Sequence, residues 1–155
     1  NFAARETSRL QPTLDVEHHT VVHFLGDMTL NLWDCGGQGR YFESYFGGER
    51  DSVFQGVALL IHVFDVESED KAEDVALYKK VLEALEERSP GARVFVLLHK
   101  MDLVKEDRRE ETYNKRAEEI RAVSGTFRPH VFATSIWDET LYRAWSRIAH
   151  SLIPN

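Results

Sequence analysis

Two short clusters carry residue types suited to nucleotide chemistry. Asp34-Cys35-Gly36-Gly37-Gln38 and His99-Lys100-Met101-Asp102 each follow an apolar, strand-like run. In the first, Asp34 is a hard carboxylate that can hold a magnesium ion through a water beside a di- or triphosphate. Gly36 and Gly37 let the backbone approach a terminal phosphate, where an N–H can donate a hydrogen bond. Gln38 adds an amide that both donates and accepts, as orienting an attacking water requires. In the second cluster, the Asp102 carboxylate can accept two parallel hydrogen bonds from the N1–H and exocyclic amine of guanine, a pair adenine does not offer. The Lys100 stem can lie along the purine while its ammonium reaches other loops. Taken singly, each cluster is also readable as a plain turn after a strand, one rich in glycine and one solvated.

Two further positions complete a set. Thr134-Ser135-Ile136 follows a short apolar run, and the backbone N–H groups of Ser135 and Ile136 can support the base near its O6. Thr13, in Gln11-Pro12-Thr13-Leu14-Asp15, offers a hydroxyl that can reach magnesium when a γ-phosphate draws its loop inward. Thr13, the Asp34 to Gln38 cluster, the His99 to Asp102 cluster and Ser135, in that order, point to a guanine-nucleotide-binding fold. One part is missing from the set: no Gly-x-x-x-x-Gly-Lys-Ser/Thr phosphate loop occurs in the 155 residues.

The elements that must position these residues follow from hydropathy periods. Residues 21–25 and 29–33 read as two strands joined at Gly26-Asp27, a tight-turn pair. Residues 57–64 and 94–98 are nearly continuous apolar runs, as parallel strands covered on both faces require, and 131–134 is a shorter one. Helical spacing places Val75, Tyr78, Val81, Leu82 and Leu85 on one face of 70–88, which stops at Ser89-Pro90-Gly91. A thin stripe of Tyr113, Ala117 and Ile120 runs along the charged segment 105–124. Leu141, Trp145, Ile148 and Leu152 share a face of 139–152, with Asp138 as the expected N-cap. Strand–helix alternation of this kind predicts a three-layer α/β fold with a mostly parallel sheet. Ligands in such sheets bind beyond the carboxyl ends of the strands, where Asp34, Lys100, Asp102 and Ser135 fall.

Composition narrows the function class. The chain is 43% hydrophobic and 29% charged with a net charge of −7, so no basic field invites nucleic acid. The one cysteine, Cys35, forbids an intramolecular disulfide and reads as a small packed residue rather than a nucleophile. His18, His19 and His23 lie close in sequence, but no Cys or further His completes a zinc set. Tyr41, Phe42, Tyr45 and Phe46 read equally as core and as a partner surface, and Trp137 as a loop residue or a partner contact.

Longer strings give the chain a family likeness. It resembles the Rag/Gtr branch of the Ras-like GTPases, on its RagA/RagB-like side, through Pro12-Thr13-Leu14-Asp15-Val16-Glu17-His18 and Leu30-Asn31-Leu32-Trp33-Asp34-Cys35-Gly36-Gly37-Gln38. Val63-Phe64-Asp65-Val66-Glu67-Ser68, His99-Lys100-Met101-Asp102-Leu103 and Thr134-Ser135-Ile136-Trp137-Asp138-Glu139 continue it over almost the whole length. His99, where most small GTPases carry Asn, is itself a family feature. The resemblance implies a Ras-like P-loop GTPase fold with one antiparallel strand in its sheet. It also implies a GTP/GDP switch using Mg2+ in nutrient signalling to the TOR kinase complex. It gives Thr13 and Asp34 to magnesium, Gln38 to hydrolysis, and His99, Asp102 and Ser135 to the base. The implied partners are a RagC/RagD-like subunit, a TOR complex subunit, a GTPase-activating protein that supplies an arginine, and a scaffold. Through the scaffold a cytoplasmic protein would reach the lysosomal or vacuolar membrane. In the family a first strand, the phosphate loop and most of a helix precede this segment, and a dimerisation domain follows it. Residues 1–155 are therefore expected to be a G domain cut from a longer protein, its sheet interrupted beside strand 29–33. A GTPase-like interaction module without turnover is the alternative reading.

Overall fold

A computed structural model describes residues 53–153 in full and, before them, the backbone of strands 17–24 and 28–34. The chain divides into two compact units, Asn1–Gln55 and Gly56–Asn155. In the first, β1 (Glu17–Phe24) pairs antiparallel with β2 (Met28–Asp34), and the register shifts between Val21 and Phe24. β1 begins four residues before the expected strand, because the polar stretch Glu17 to Thr20 is recruited by pairing with Asn31 to Asp34 rather than by hydropathy. Among the described strands β2 bonds to β1 alone.

The second unit is a three-stranded parallel sheet in the order β3 (Leu59–Asp65), β4 (Arg93–His99), β5 (His130–Ala133). Helices α1 (Lys71–Arg88), α2 (Glu106–Val123) and α3 (Thr140–Ser151) make the crossovers and the last element. β4 is buried from Val94 to Leu98, and its alternation serves both faces. Val94, Val96 and Leu98 join Phe64, Tyr78, Leu82, Leu85, Ala117 and Ile120 in the larger core under α1 and α2. Phe95 and Leu97 join Ala144 and Ile148 of α3 in the smaller one. The unit is thus three layers of α/β, as its sequence predicts. Among the described residues no helix is long and apolar enough to cross a membrane.

The helix ends follow local chemistry. Asp70 caps α1 by accepting from the Glu73 N–H at 2.9 Å, and the Ser89 N–H closes its other end on Leu85 O. For α3 the cap differs from expectation. The N-cap position is Glu139, without a side-chain bond, while Asp138 acts one residue earlier by accepting from the Thr140 N–H at 2.8 Å. The apolar face of α3 also differs: Ala144 and Ala149 are buried with Ile148, whereas Trp145 is 36% exposed. Small residues let the helix lie close to the sheet, so the larger apolar side chains fall at the flanks of the contact.

His62 on β3 is half-buried, its ring packed against Phe64 and Tyr78 at centroid distances of 4.8 and 4.9 Å. Burial pushes its pKa from 6.5 down to about 4. Between those values the unfolded chain binds a proton that the folded chain refuses, so stability falls as pH falls, by about 1.4 kcal/mol per pH unit. Below the folded value both states are protonated and the loss stops. We expect His62→Phe to flatten this part of the acid limb while leaving stability above neutral pH nearly unchanged. Urea titrations at a series of pH values check this, and an undiminished slope in the variant contradicts it.

Candidate functional site

The carboxyl edge of the parallel sheet brings together the ends of its strands. β3 ends at Asp65, which is in register with His99 at the end of β4. Beyond β5 the chain continues into Thr134 and Ser135, both fully buried. The Thr134 N–H donates to Leu98 O at 3.0 Å, and its C=O accepts from the Met101 N–H at 3.1 Å. His99 Nδ1 is 2.8 Å from Thr134 Oγ1. Burial lowers the His99 pKa, the nearby Asp102 charge opposing it in part. The imidazole is therefore neutral at physiological pH.

After His99 the chain turns sharply. Lys100 adopts a left-handed backbone, φ 65° and ψ 32°, and Met101–Leu103 form a single 3-10 turn. A left-handed conformation in a non-glycine residue is strained and persists where its surroundings over-determine it. Here the Met101 N–H is held by Thr134, while the Arg109 guanidinium of α2 donates to Val104 O at 2.8 Å and Asp102 O at 3.3 Å. The turn sets Lys100 and Asp102 to different work. Asp102 Oδ1 accepts from the Ser135 hydroxyl at 2.7 Å, and the Trp137 N–H donates to Ser135 Oγ at 3.1 Å. Lys100 Nζ donates to Asp65 Oδ2 at 2.6 Å.

These positions cover the base-reading half of the set read from sequence. His99, Lys100, Asp102, Ser135 and Ile136 lie together on one edge, on loops after adjacent strands. The Ser135 N–H donates to Thr140 Oγ1 at 2.8 Å, and the Ser135 hydroxyl is the group that reaches the Asp102 carboxylate. Asp34 is the last residue of β2, as a residue acting beyond a strand end should be. Thr13, Gly37, Gln38 and the aromatic run from Tyr41 to Phe46 lie outside the described residues. Sequence reading assigned no role to Thr134, Thr140, Arg109 or Asp65. Asp65 has the signal used for the others, a polar residue directly after an apolar run. The rest carry no local signal, because their partners are fixed by tertiary packing.

An open parallel sheet with a carboxylate, a lysine and a buried serine gathered at its carboxyl edge has the architecture of Ras-like G proteins. A family model for the Gtr1/RagA G protein conserved region matches residues 1–155. The chain therefore belongs to the Gtr1/RagA family. It is 52% identical over 155 residues to the Ras-related GTP-binding protein A of Dictyostelium discoideum, covering 100% of this chain and 51% of that protein. Similarity to the GTP-binding protein GTR1 of Saccharomyces cerevisiae is alike, 52% over 158 residues, covering 100% and 51%. A more distant relative is the Ras-related GTP-binding protein C of Mus musculus, 28% identical over 145 residues, covering 90% and 34%. The chain spans about half the length of the first two of these relatives.

Ser135→Ala removes the donor to Asp102 and the acceptor of the Trp137 N–H in one step. With the site this buried, we expect a loss of about 1–3 kcal/mol. Urea unfolding without added nucleotide measures it, and a wild-type midpoint would mean that solvent replaces both bonds.

Proposed function

We propose that this chain is the guanine-nucleotide-binding part of a GTP-hydrolysing switch. The observation that carries the reading is the Asp102 carboxylate, held at one oxygen by the buried Ser135 hydroxyl on the sheet edge beside Lys100 and His99. A carboxylate fixed in this way presents a rigid pair of acceptors, which suits the N1–H and amine of guanine. The stem of Lys100 supplies an apolar floor for the purine, and the Ile136 N–H faces the base at O6. His99, neutral and bonded to Thr134, stiffens the turn that carries both. The names of the relatives support the binding part of this reading: all three are called GTP-binding proteins.

The phosphate half of the reading rests on residue types. Asp34 at the carboxyl end of β2 is a hard oxygen donor of the kind magnesium takes, and Thr13 adds a hydroxyl. Bound there, the ion would neutralise phosphate charge as the terminal phosphoryl group leaves. Gly37 gives its N–H to the γ-phosphate, and Gln38 orients the attacking water. Hydrolysis is slow until an activating protein contributes an arginine.

At the level of the cell, the family resemblance supports a role in nutrient signalling to the TOR kinase complex. The distant likeness to a protein named Ras-related GTP-binding protein C supports a paired, RagC/RagD-like subunit. Reaching the lysosomal or vacuolar surface through a scaffold is part of the same proposal and rests on the resemblance alone.

The decisive test is the nucleotide carried by the purified protein at its full natural length, released by heat and separated by chromatography. Near-stoichiometric GDP or GTP is expected, and a protein that stays empty with added nucleotide and magnesium overturns the reading. Asp102→Asn should shift preference from guanine to xanthine nucleotides in a competition assay. Gln38→Leu should retain GTP and lose stimulated hydrolysis by a factor on the order of a thousand or more.

A further inference from the structure

The ammonium of Lys100 does not stand free at the sheet edge. It donates to Asp65 Oδ2 at 2.6 Å, from the end of β4 across to the end of β3. The other oxygen of the same carboxylate accepts from the Glu67 N–H at 2.9 Å, and the Asp65 C=O accepts from the Ser68 N–H at 3.1 Å. The Val66 N–H in turn donates to His99 O at 3.1 Å, so the loop after β3 is itself pinned to the residue before Lys100. Burial alone would raise the Asp65 pKa, but the Lys100 and Glu67 hydrogen bonds outweigh it and keep the carboxyl below its ordinary value.

As a surface ion pair this contact is weak, since the two side chains are 52% and 40% exposed. Its consequence is geometric. Lys100 is held at one end by its left-handed backbone and at the other by Asp65, which biases the carbon stem between them toward one path. We infer that Asp65 is a positioning residue for the nucleotide, holding the Lys100 stem as the floor on which the purine lies while Asp102 reads its edge. The inference rests on the proposed guanine-nucleotide site and names a residue that neither base-reading cluster contains. Asp65 touches no ligand in this scheme; it acts through Lys100.

A double-mutant cycle on the full-length protein tests it, with GDP dissociation as the readout. Asp65→Ala should speed release by about two- to fivefold, the scale of one lost exposed ion pair. Lys100→Met keeps an unbranched stem and removes the ammonium. In that background Asp65→Ala should add little, because the group it acts through is gone. Urea midpoints of the single variants should stay near wild type, separating positioning from simple destabilisation. Multiplying effects on release would show that Asp65 acts through its own turn at Glu67, and would overturn the inference while leaving the nucleotide site intact. Unchanged release in Asp65→Ala would overturn it as well. A wild-type protein that binds no guanine nucleotide would instead remove the functional reading, and this inference with it.

Discussion

The backbone of Thr134 is the joint on which the carboxyl edge of the sheet depends. Its N–H extends the β4–β5 ladder by one bond to Leu98, and its C=O receives the Met101 N–H from beyond the turn. One residue of β5's continuation therefore fixes β4's chain on both sides of Lys100. The left-handed backbone of Lys100 is the geometric result of satisfying both bonds with only His99 and Lys100 between them. Burial strengthens the constraint. Thr134 and Ser135 are fully enclosed, and leaving either polar group unpaired there costs about 1–3 kcal/mol. A strained residue at a functional edge is held in place by ordinary sheet hydrogen bonding.

Sequence made the frame legible because the frame is built from apolar periods. The run at 94–98 announced a strand covered on both faces, and Val94, Val96 and Leu98 divide from Phe95 and Leu97 as such a strand requires, whereas the run at 57–64 forms β3 with Val63 54% exposed. The spacing in 70–88 gave the buried face of α1 nearly residue for residue. Legibility ended where pairing rather than hydropathy decides. Glu17 to Thr20 are polar and still form strand, because β2 offers a ladder to them. On α3, Ala144 and Ala149 take the contact that size would have assigned to Trp145. Close helix–sheet packing selects small side chains, and a periodicity weighted by hydrophobicity underrates them.

The polar interior was the least visible part. Arg116 is 4% exposed, with Nη1 on Glu119 at 2.7 Å and its guanidinium 6.0 Å from the Phe64 ring centroid, while Nε and Nη2 have no hydrogen-bond partner among the described residues. A charged-looking helix gave no sign that one arginine turns inward. Tyr78 is buried completely and spends its hydroxyl on Ser124 Oγ at 2.7 Å, which in turn donates to Ile120 O. These bonds join α1 to the end of α2 through side chains far apart in sequence. The same is true of the site, where Ser135 finds Asp102 and Thr140 finds Ser135 only after the sheet has formed. Residue types announced the chemistry; which atom performs it was settled by tertiary contact, as the Ser135 hydroxyl illustrates.

The residues of the candidate base site are tied together by the same physics. His99, Lys100, Asp102, Ser135 and Asp65 all belong to the unit Gly56–Asn155. They stand at the ends of strands whose central member, β4, packs into a core on each of its faces. Asp65 and His99 close β3 and β4 in register, so the turn at Lys100 inherits the geometry of the sheet instead of setting its own. A side chain carried on such a turn loses little further freedom when a ligand arrives, because the sheet has already ordered the backbone beneath it.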